Sequence, residues 1–466
     1  MSLLYNLTLL KRRGTALIIA MIFVLIFSAL AVSMASISGV NTQIASNQHK
    51  LGCARASAES GMEVQRYWLT PVAMPSSTPP ESYFSTIIAY IQNDLADNSI
   101  SNITLYYDGS ISSVPLDSLT GQSFRGQLSI NSSDPYILNV YSTGYNGEIK
   151  KTLKVSFDIE PYKHPIFNYG LATKGPLTYT GNPTMTAANE AWEADLYIES
   201  SDSLTAISTG GNCNFAGEIE IGNPAAATDF KGDVLIAGEH GQTAIDNHVH
   251  IGTEPVEFPT PDTDRFEHYA TGDEINSLTD LNTYDNTLIN CSIAPGTNPV
   301  FPKSVIIQGI IFIESPNIVT FERNVALEGI IVGDGDLTNP GTDRIDVLGN
   351  FASSTYPEGM EFDEIRSEEG SSVVAPGFAM SFQGNFSTLE GVVAVSGISF
   401  TGNVNAQIKG TIINYSDDPM VIGGNAVMNF DRVDSTKVPA GFDTLRVLTY
   451  NPSSYEEPTF NWAATE

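Results

Sequence analysis

Between Gly14 and Gln48 the chain carries no charged residue, and this stretch contains the run ALIIAMIFVLIFSALAVSMA, Ala16 to Ala35. About 20 consecutive apolar residues are what a helix needs to cross a bilayer, where every backbone donor and acceptor must be satisfied within the segment. Lys11, Arg12 and Arg13 stand just before the run. The positive-inside rule therefore leaves residues 1–14 in the cytoplasm, places the span at 15–38, and sends the rest outward. A cleavable secretory signal is the competing assignment, but its apolar stretch is only about 7 to 15 residues and ends in small residues with a helix break. Here the helical pattern continues. Ile44, Leu51, Ala54, Ala58 and Met62 fall on one face, with Gln43, Asn47, Lys50 and Arg66 among the polar positions. A helix from Thr15 to about Trp68 is roughly 80 Å long at 1.5 Å per residue. Its first half suits lipid, and its second half carries an apolar stripe that needs a partner.

The formal charge of −31 is split unevenly. Residues 1–66 hold six basic and two acidic residues, which leaves 16 basic against 51 acidic beyond them, or −35. Such a field repels phosphate backbones and excludes nucleic acid as a partner of the large part. A hydrophobic fraction of 42% excludes general disorder, and 466 residues call for at least two domains.

The string RRGTALIIAMIFVLIFSALAVSMASISGVNTQIASNQHKLGCARASAESG resembles the N-terminus of type IV pilin-like proteins, in particular the PilX-type minor pilins. A basic pair and a glycine precede a long apolar helix, and an Ala-rich element from Ala54 to Gly61, with Glu59, ends a match of about residues 11–68. The resemblance implies that Arg13, Gly14 and Thr15 form a prepilin processing site, with Gly14 recognised and Thr15 the new N-terminus. It implies helix docking at Ala58 and Glu59, other pilin-like subunits and the membrane as partners, and a single-pass inner-membrane protein with a periplasmic or cell-surface ectodomain. Ile19 occupies the fifth position after Gly14, where major pilins carry Glu. That departure fits an atypical subunit of a tip or priming complex. Without processing, the same residues would be the flank of an uncleaved anchor.

Residues 70–82 (TPVAMPSSTPPES) break the long helix, and Tyr83 to Leu95 reads as a short amphipathic helix. Period-two patterns mark strands at 127–130, 136–143 and 149–159, with GYNG (144–147) as a hairpin turn. Residues 39–160 thus resemble the pilin α/β roll. From 165 to about 434 the pattern changes to short β-rich runs with frequent Gly and Asn. A five-residue motif recurs as FERNV, VLGNF, FQGNF, FTGNV and IGGNA, with Asn324, Asn350, Asn385, Asn403 and Asn425 in its fourth position. A second element, Gly before an apolar strand, recurs as QGIIFI, EGIIVG, EGVVAV and KGTIIN. Repeats near 20 residues with Gly or Asn corners predict a right-handed parallel β-helix. The competitor, a β-sandwich, has turns every 8 to 12 residues or so without a shared motif. Residues 223–300 carry the repeat poorly and read as an irregular elaboration, and 438–466 as a C-terminal cap or tail.

Candidate chemistry is sparse. Alternation places His248, His250 and Asp246 on one strand face, a weak transition-metal set that is more often a solvated surface. Asp334 with Asp336, Asp262 with Asp264, and Asp417 with Asp418 are the candidate calcium ligands, without an EF-hand or nonapeptide repeat. Cys213 and Cys291 either form a disulfide or remain two thiols. No G-x-S-x-G or H-E-x-x-H occurs. The expectation is a mainly β protein with a long N-terminal helix, a pilin-like roll and then a β-helix. It is expected to be a non-enzymatic subunit of a type IV pilus, without a cofactor, that displays the solenoid for adhesion or protein binding to a surface or glycan ligand. The alternatives are an anchored β-helix polysaccharide lyase or hydrolase, and a type II secretion pseudopilin.

Overall fold

The computed structural model describes residues 3–201, 204–339, 341–432 and 437–458, with side chains from Thr15 onward. It divides into two compact units, Met1–Glu160 with Arg446–Glu466, and Pro161–Leu445.

The first unit is built on α1, Leu3–Leu69. Every residue from Thr15 to Gly52 is exposed. From Ala54 the burial becomes helical in period, with Ala54, Ala58, Met62, Gln65, Trp68 and Leu69 buried. The apolar stripe expected from Ile44 onward is therefore covered only from Ala54; Ile44 and Leu51 remain exposed, because the sheet meets α1 only along its second half. That contact is close. A Cβ at Gly144 would lie 2.0 Å from the Ala54 carbonyl oxygen and 2.3 Å from the Ala58 nitrogen, so only glycine lets the two backbones approach this far.

After α1 come β1 (Ala73–Pro75) and α2 (Tyr83–Asp97). Helix α2 buries Tyr83, Ile87, Ile88, Ile91 and Leu95 at helical spacing. Strands β2 (Ser110–Asp117), β3 (Gln122–Ile130), β4 (Ile137–Asn146) and β5 (Ile149–Pro161) form antiparallel ladders. The sheet is completed from the other end of the sequence. Leu445–Glu456 lies between β1 and β5 and contributes Leu448 and Tyr450 to the core. The stretch after Val438, expected as a cap or tail, is thus in part a strand of the first unit. Its pattern, LRVLTYNPSSYE, alternates weakly and contains a proline, which hides it from periodicity. The whole second unit is an insertion between β5 and this C-terminal strand.

In the second unit strands pair in parallel, layer on layer. Val305–Ile313 matches Val325–Gly333 over nine successive residues. One continuous row of paired residues runs Glu274, Ser292, Phe312, Val332, Val374, Ala394, Ile413, Ala172, Tyr197, Glu220 and His250. Its order is not the chain order. The chain climbs from Ala172 to His250, crosses by residues 252–273 to the opposite end, and returns layer by layer until Ile413 meets Ala172. Runs such as GIIFI are apolar at every position because this face is buried on both sides. Leu171, Ile311, Ile331 and Val393 point into an inner core. Phe312, Val332 and Ala394 point into an outer one, covered by Phe258, Phe266, Phe362 and Phe442.

The recurring motif has a structural cause. The Asn350 N–H donates to the Asn324 side chain at 3.1 Å, and the Asn385 N–H to the Asn350 side chain at 3.1 Å, so each corner satisfies the backbone of the next. Motif phenylalanines stack inside, Phe351 on Phe386 at 5.8 Å and Phe382 on Phe400 at 5.0 Å. Residues expected as an elaboration include true layers. Ala227–Asp229, Val234–Ile236, Val249–Ile251 and Thr287–Ile293 all pair in parallel, as does the short strand Glu274–Ile275, so the irregular part narrows to roughly 252–273 and 276–286. The first three of these strands have only three residues each, too short to register as periodicity. Ala244 and Ile245 of α3 (Gly241–His248) pack on the inner core at the His250 end, and Leu281 and Tyr284 near the Glu274 end. These covers shield edges that would otherwise template further strands.

Candidate functional site

Two surfaces stand out, one in each unit. The first is the bare half of α1. Among the described residues, this is the one helix long and apolar enough to cross a membrane. Leu17, Phe27, Val32 and Met34 are each about two-thirds exposed, at 65%, 65%, 68% and 68%. Of the expected processing residues, Arg13 and Gly14 lie within the helical backbone, their side chains outside the described residues, and Thr15 is exposed. Ala58 and Glu59 separate. Ala58 is fully buried against its own unit's sheet, whereas Glu59 faces outward and pairs with Arg55 at 3.0 Å. That hydrogen bond raises the Arg55 pKa, with Tyr455 and Glu457 adding to it.

The second surface is a groove of about 710 Å³ in the second unit. Gly370, Gly391 and Gly410 lie along it. A Cβ on Gly410 would sit 2.0 Å from the Gly391 carbonyl oxygen, and one on Gly391 2.8 Å from the Gly370 carbonyl oxygen, so Gly391 and Gly410 are required by the close stacking of layers. Charged pairs stand beside them. Lys409 lies 2.7 Å from Glu390, and Lys437 lies 2.6 Å from Glu369. The Lys409 ammonium is held above its ordinary pKa, chiefly by the Glu390 hydrogen bond. The groove thus offers donors and acceptors of both signs. Glu390 with Gly391 and Lys409 with Gly410 open the recurring EGVVAV and KGTIIN elements, but it is the stacking of layers that brings them into one groove.

The expected metal set is rearranged. His248 ends α3, Asp246 lies within that helix rather than on a strand, and only His250 is in a strand. Asp246 accepts a hydrogen bond from Gln242 at 2.7 Å. The two histidines instead meet on Glu218, His248 Nδ1 at 2.9 Å and His250 Nε2 at 3.0 Å. Glu218 belongs to the adjoining layer, a partner that alternation within one segment does not reveal. Among the described residues no group of three or more His, Cys, Asp and Glu is arranged to hold a metal ion. Asp336 is committed to its own turn through Thr338, at 2.8 Å to the backbone and 2.7 Å to the hydroxyl. Asp334 accepts the Ser315 N–H at 2.5 Å, and burial raises its pKa. All three cysteines are free thiols. Burial pushes Cys213 up to about 11, so it is not a ready nucleophile.

A carboxyl group with a strongly raised pKa lies elsewhere in the second unit. Asp195 is pushed up to about 6, mainly by burial, while accepting the Glu218 N–H at 2.8 Å. Beside it Arg432, buried and lowered to about 10 by desolvation, donates to the carbonyls of Phe167, Asn168 and Glu193. These bonds join the first layer of the unit to its last. Asn414 to Thr173 at 2.9 Å, Asn182 to Asn425 at 3.0 Å and Thr186 to Asn429 at 2.9 Å belong to the same seam.

Comparison with known proteins bears on the first surface. Residues 13–63 match the family described as PilX N-terminal, so the chain begins with a type IV pilin-like segment. Among solved structures, the competence-associated pilin ComZ from Thermus thermophilus is similar at 12% identity, covering 88% of this chain and 97% of its own, with a TM-score of 0.24. An ice-binding protein from the Antarctic ascomycete Antarctomyces psychrotrophicus aligns at 10% identity over 57% of this chain and 95% of its own, with a TM-score of 0.21. Neither superposition is close enough to inform the fold. No curated protein matches the sequence.

Proposed function

From a type IV pilin-like N-terminus matched over residues 13–63, we propose that the protein is a membrane-anchored, minor-pilin-like subunit. Its bare α1 surface lies in the inner membrane, N-terminus inward, and then packs with equivalent helices of a type IV pilus or related machine. The second unit is a parallel β-solenoid displayed outside the cell, and its groove recognises a protein or glycan ligand without catalysis. One observation carries this: α1 is covered from Ala54 onward and exposed at every residue from Thr15 to Gly52. An apolar side chain left in water forgoes roughly 1.5 to 3 kcal/mol of burial, so a surface of Leu17, Ile18, Ile22, Phe23 and Phe27 is stable only in lipid or against other helices. Layered parallel pairing with asparagine corners supports the solenoid. In the groove, Glu369 and Glu390 each sit against a lysine, which favours polar ligands of low net charge over polyanions.

Mass spectrometry of the mature N-terminus is the test. A start at Thr15 is expected, and Gly14→Val should leave the leader attached. A retained Met1 in the wild type, or a cut near Ala35, would overturn the proposal.

A further inference from the structure

The first unit cannot be completed locally, because its sheet is β1, the C-terminal strand, β5, β4, β3 and β2. The C-terminal strand fixes both β5 and α1. Asn451 donates to Asp158 at 3.0 Å, and the Ser156 N–H donates to Ser454 at 2.7 Å. The Tyr450 ring lies 5.1 Å from the Arg66 guanidinium and 5.5 Å from the Phe157 ring. Glu457, just beyond the strand, reaches Arg55 at 3.4 Å and Lys151 at 2.6 Å. Without this strand, β5 is an open edge along Ile149–Pro161, and α1 loses contacts at Arg55 and Arg66.

The strand arrives on the far side of the second unit, whose folding decides how far away it is. With Pro161–Leu445 unfolded, pairing β5 with the C-terminal strand closes a loop of roughly 285 residues, a penalty that grows as the 3/2 power of length, on the order of 5,000-fold. With that unit folded, the Tyr162 N–H donates to the Leu445 carbonyl at 2.9 Å, and the two strands leave it side by side. The second unit closes on its own last layer through the seam at Thr173, Asn414 and Arg432.

We propose that the inserted unit is a checkpoint for the first. The seam forms, the ends at Tyr162 and Leu445 come together, and only then does the C-terminal strand complete the sheet that holds the second half of α1. A chain with an unfinished second unit would carry a sheet with an open β5 edge and an α1 that lacks its contacts at Arg55 and Arg66. The consequence for filament entry rests on the proposed role of α1; the folding order does not. Pulse-labelled hydrogen exchange during refolding of the full chain in detergent micelles tests the order. Amides of Leu171–Thr173 and Ile412–Asn414 should become protected before those of β5 and the C-terminal strand, and Arg432→Met should delay both sets. Protection of β5 with the C-terminal strand before or together with the seam, or a rate unaffected by Arg432→Met, would overturn the proposal. At equilibrium Leu448→Asp should expose β5 and residues 54–69 while leaving protection in the second unit unchanged; loss of protection in both units would also overturn it.

Discussion

The two units bury their cores by opposite means. The first has a few long antiparallel strands, two helices packed into their core, and a strand borrowed from the far end of the chain. The second repeats a small layer, and each layer satisfies the next through asparagine corners, glycine contacts and stacked phenylalanines. A unit of the first kind depends on a small number of distant contacts. One of the second kind spreads its stability over many equivalent ones, except at the seam, where its first and last layers meet. The insertion makes the dependence one-sided, since the first unit needs the second to bring its last strand home.

That asymmetry can be attacked directly. The largest effect is expected from Phe382→Ala, which removes a buried ring from the stacked row and should cost about 3 to 5 kcal/mol. In calorimetry it should lower the transition of the second unit and draw that of the first down with it, because losing the insert imposes a loop-closure term of roughly 5 kcal/mol. Gly144→Ala should cost about 1 to 3 kcal/mol by pressing on the α1 backbone. Hydrogen exchange should place its effect in the first unit alone. Asn350→Ala should cost about 1 to 2 kcal/mol, since the Asn385 N–H loses its acceptor, with the increased exchange confined to neighbouring layers.

The smallest effect depends on pH. Asp195 binds its proton more tightly when folded, with its pKa pushed up to about 6 from 3.8. Its burial therefore costs nothing below about pH 4, and the penalty appears as pH rises through 6. Asp195→Asn should match the wild type in melting temperature at pH 4 and exceed it by a few degrees at pH 7. A gap that shrinks with rising pH would show that the carboxylate is stabilised rather than strained.

Legibility in the sequence followed the same division. The bare half of α1 was plain because no charge interrupts Gly14 to Gln48, and the later layers were plain because nine-residue strands with shared corners repeat near 20 residues. The layers between Leu171 and Ile251 were not. They use strands of mostly three and at most five residues, although Gly181-Asn182 and Gly211-Asn212 carry the same corner, and the Asn212 N–H bonds the Asn182 side chain at 2.9 Å. Sequence order also concealed what closes over distance. Glu218 between two histidines, the pairing of Lys409 with Glu390 and of Lys437 with Glu369 in the groove, and the returning strand at Leu445 each need a neighbour from elsewhere in the chain.

The crossing segment 252–273 sets a limit on size. Eleven paired residues from Glu274 to His250 stand roughly 48 Å apart end to end at about 4.8 Å per layer, and one piece of chain must span that height. Fully extended, the residues from 250 to 274 reach about 79 Å, and the 3₁₀ turn at Asp264–Tyr269 shortens this by roughly 8 Å. The slack admits about four further layers. The strap therefore acts as a ruler: the second unit can gain a few repeats by duplication before the crossing must lengthen, and its seam need not change.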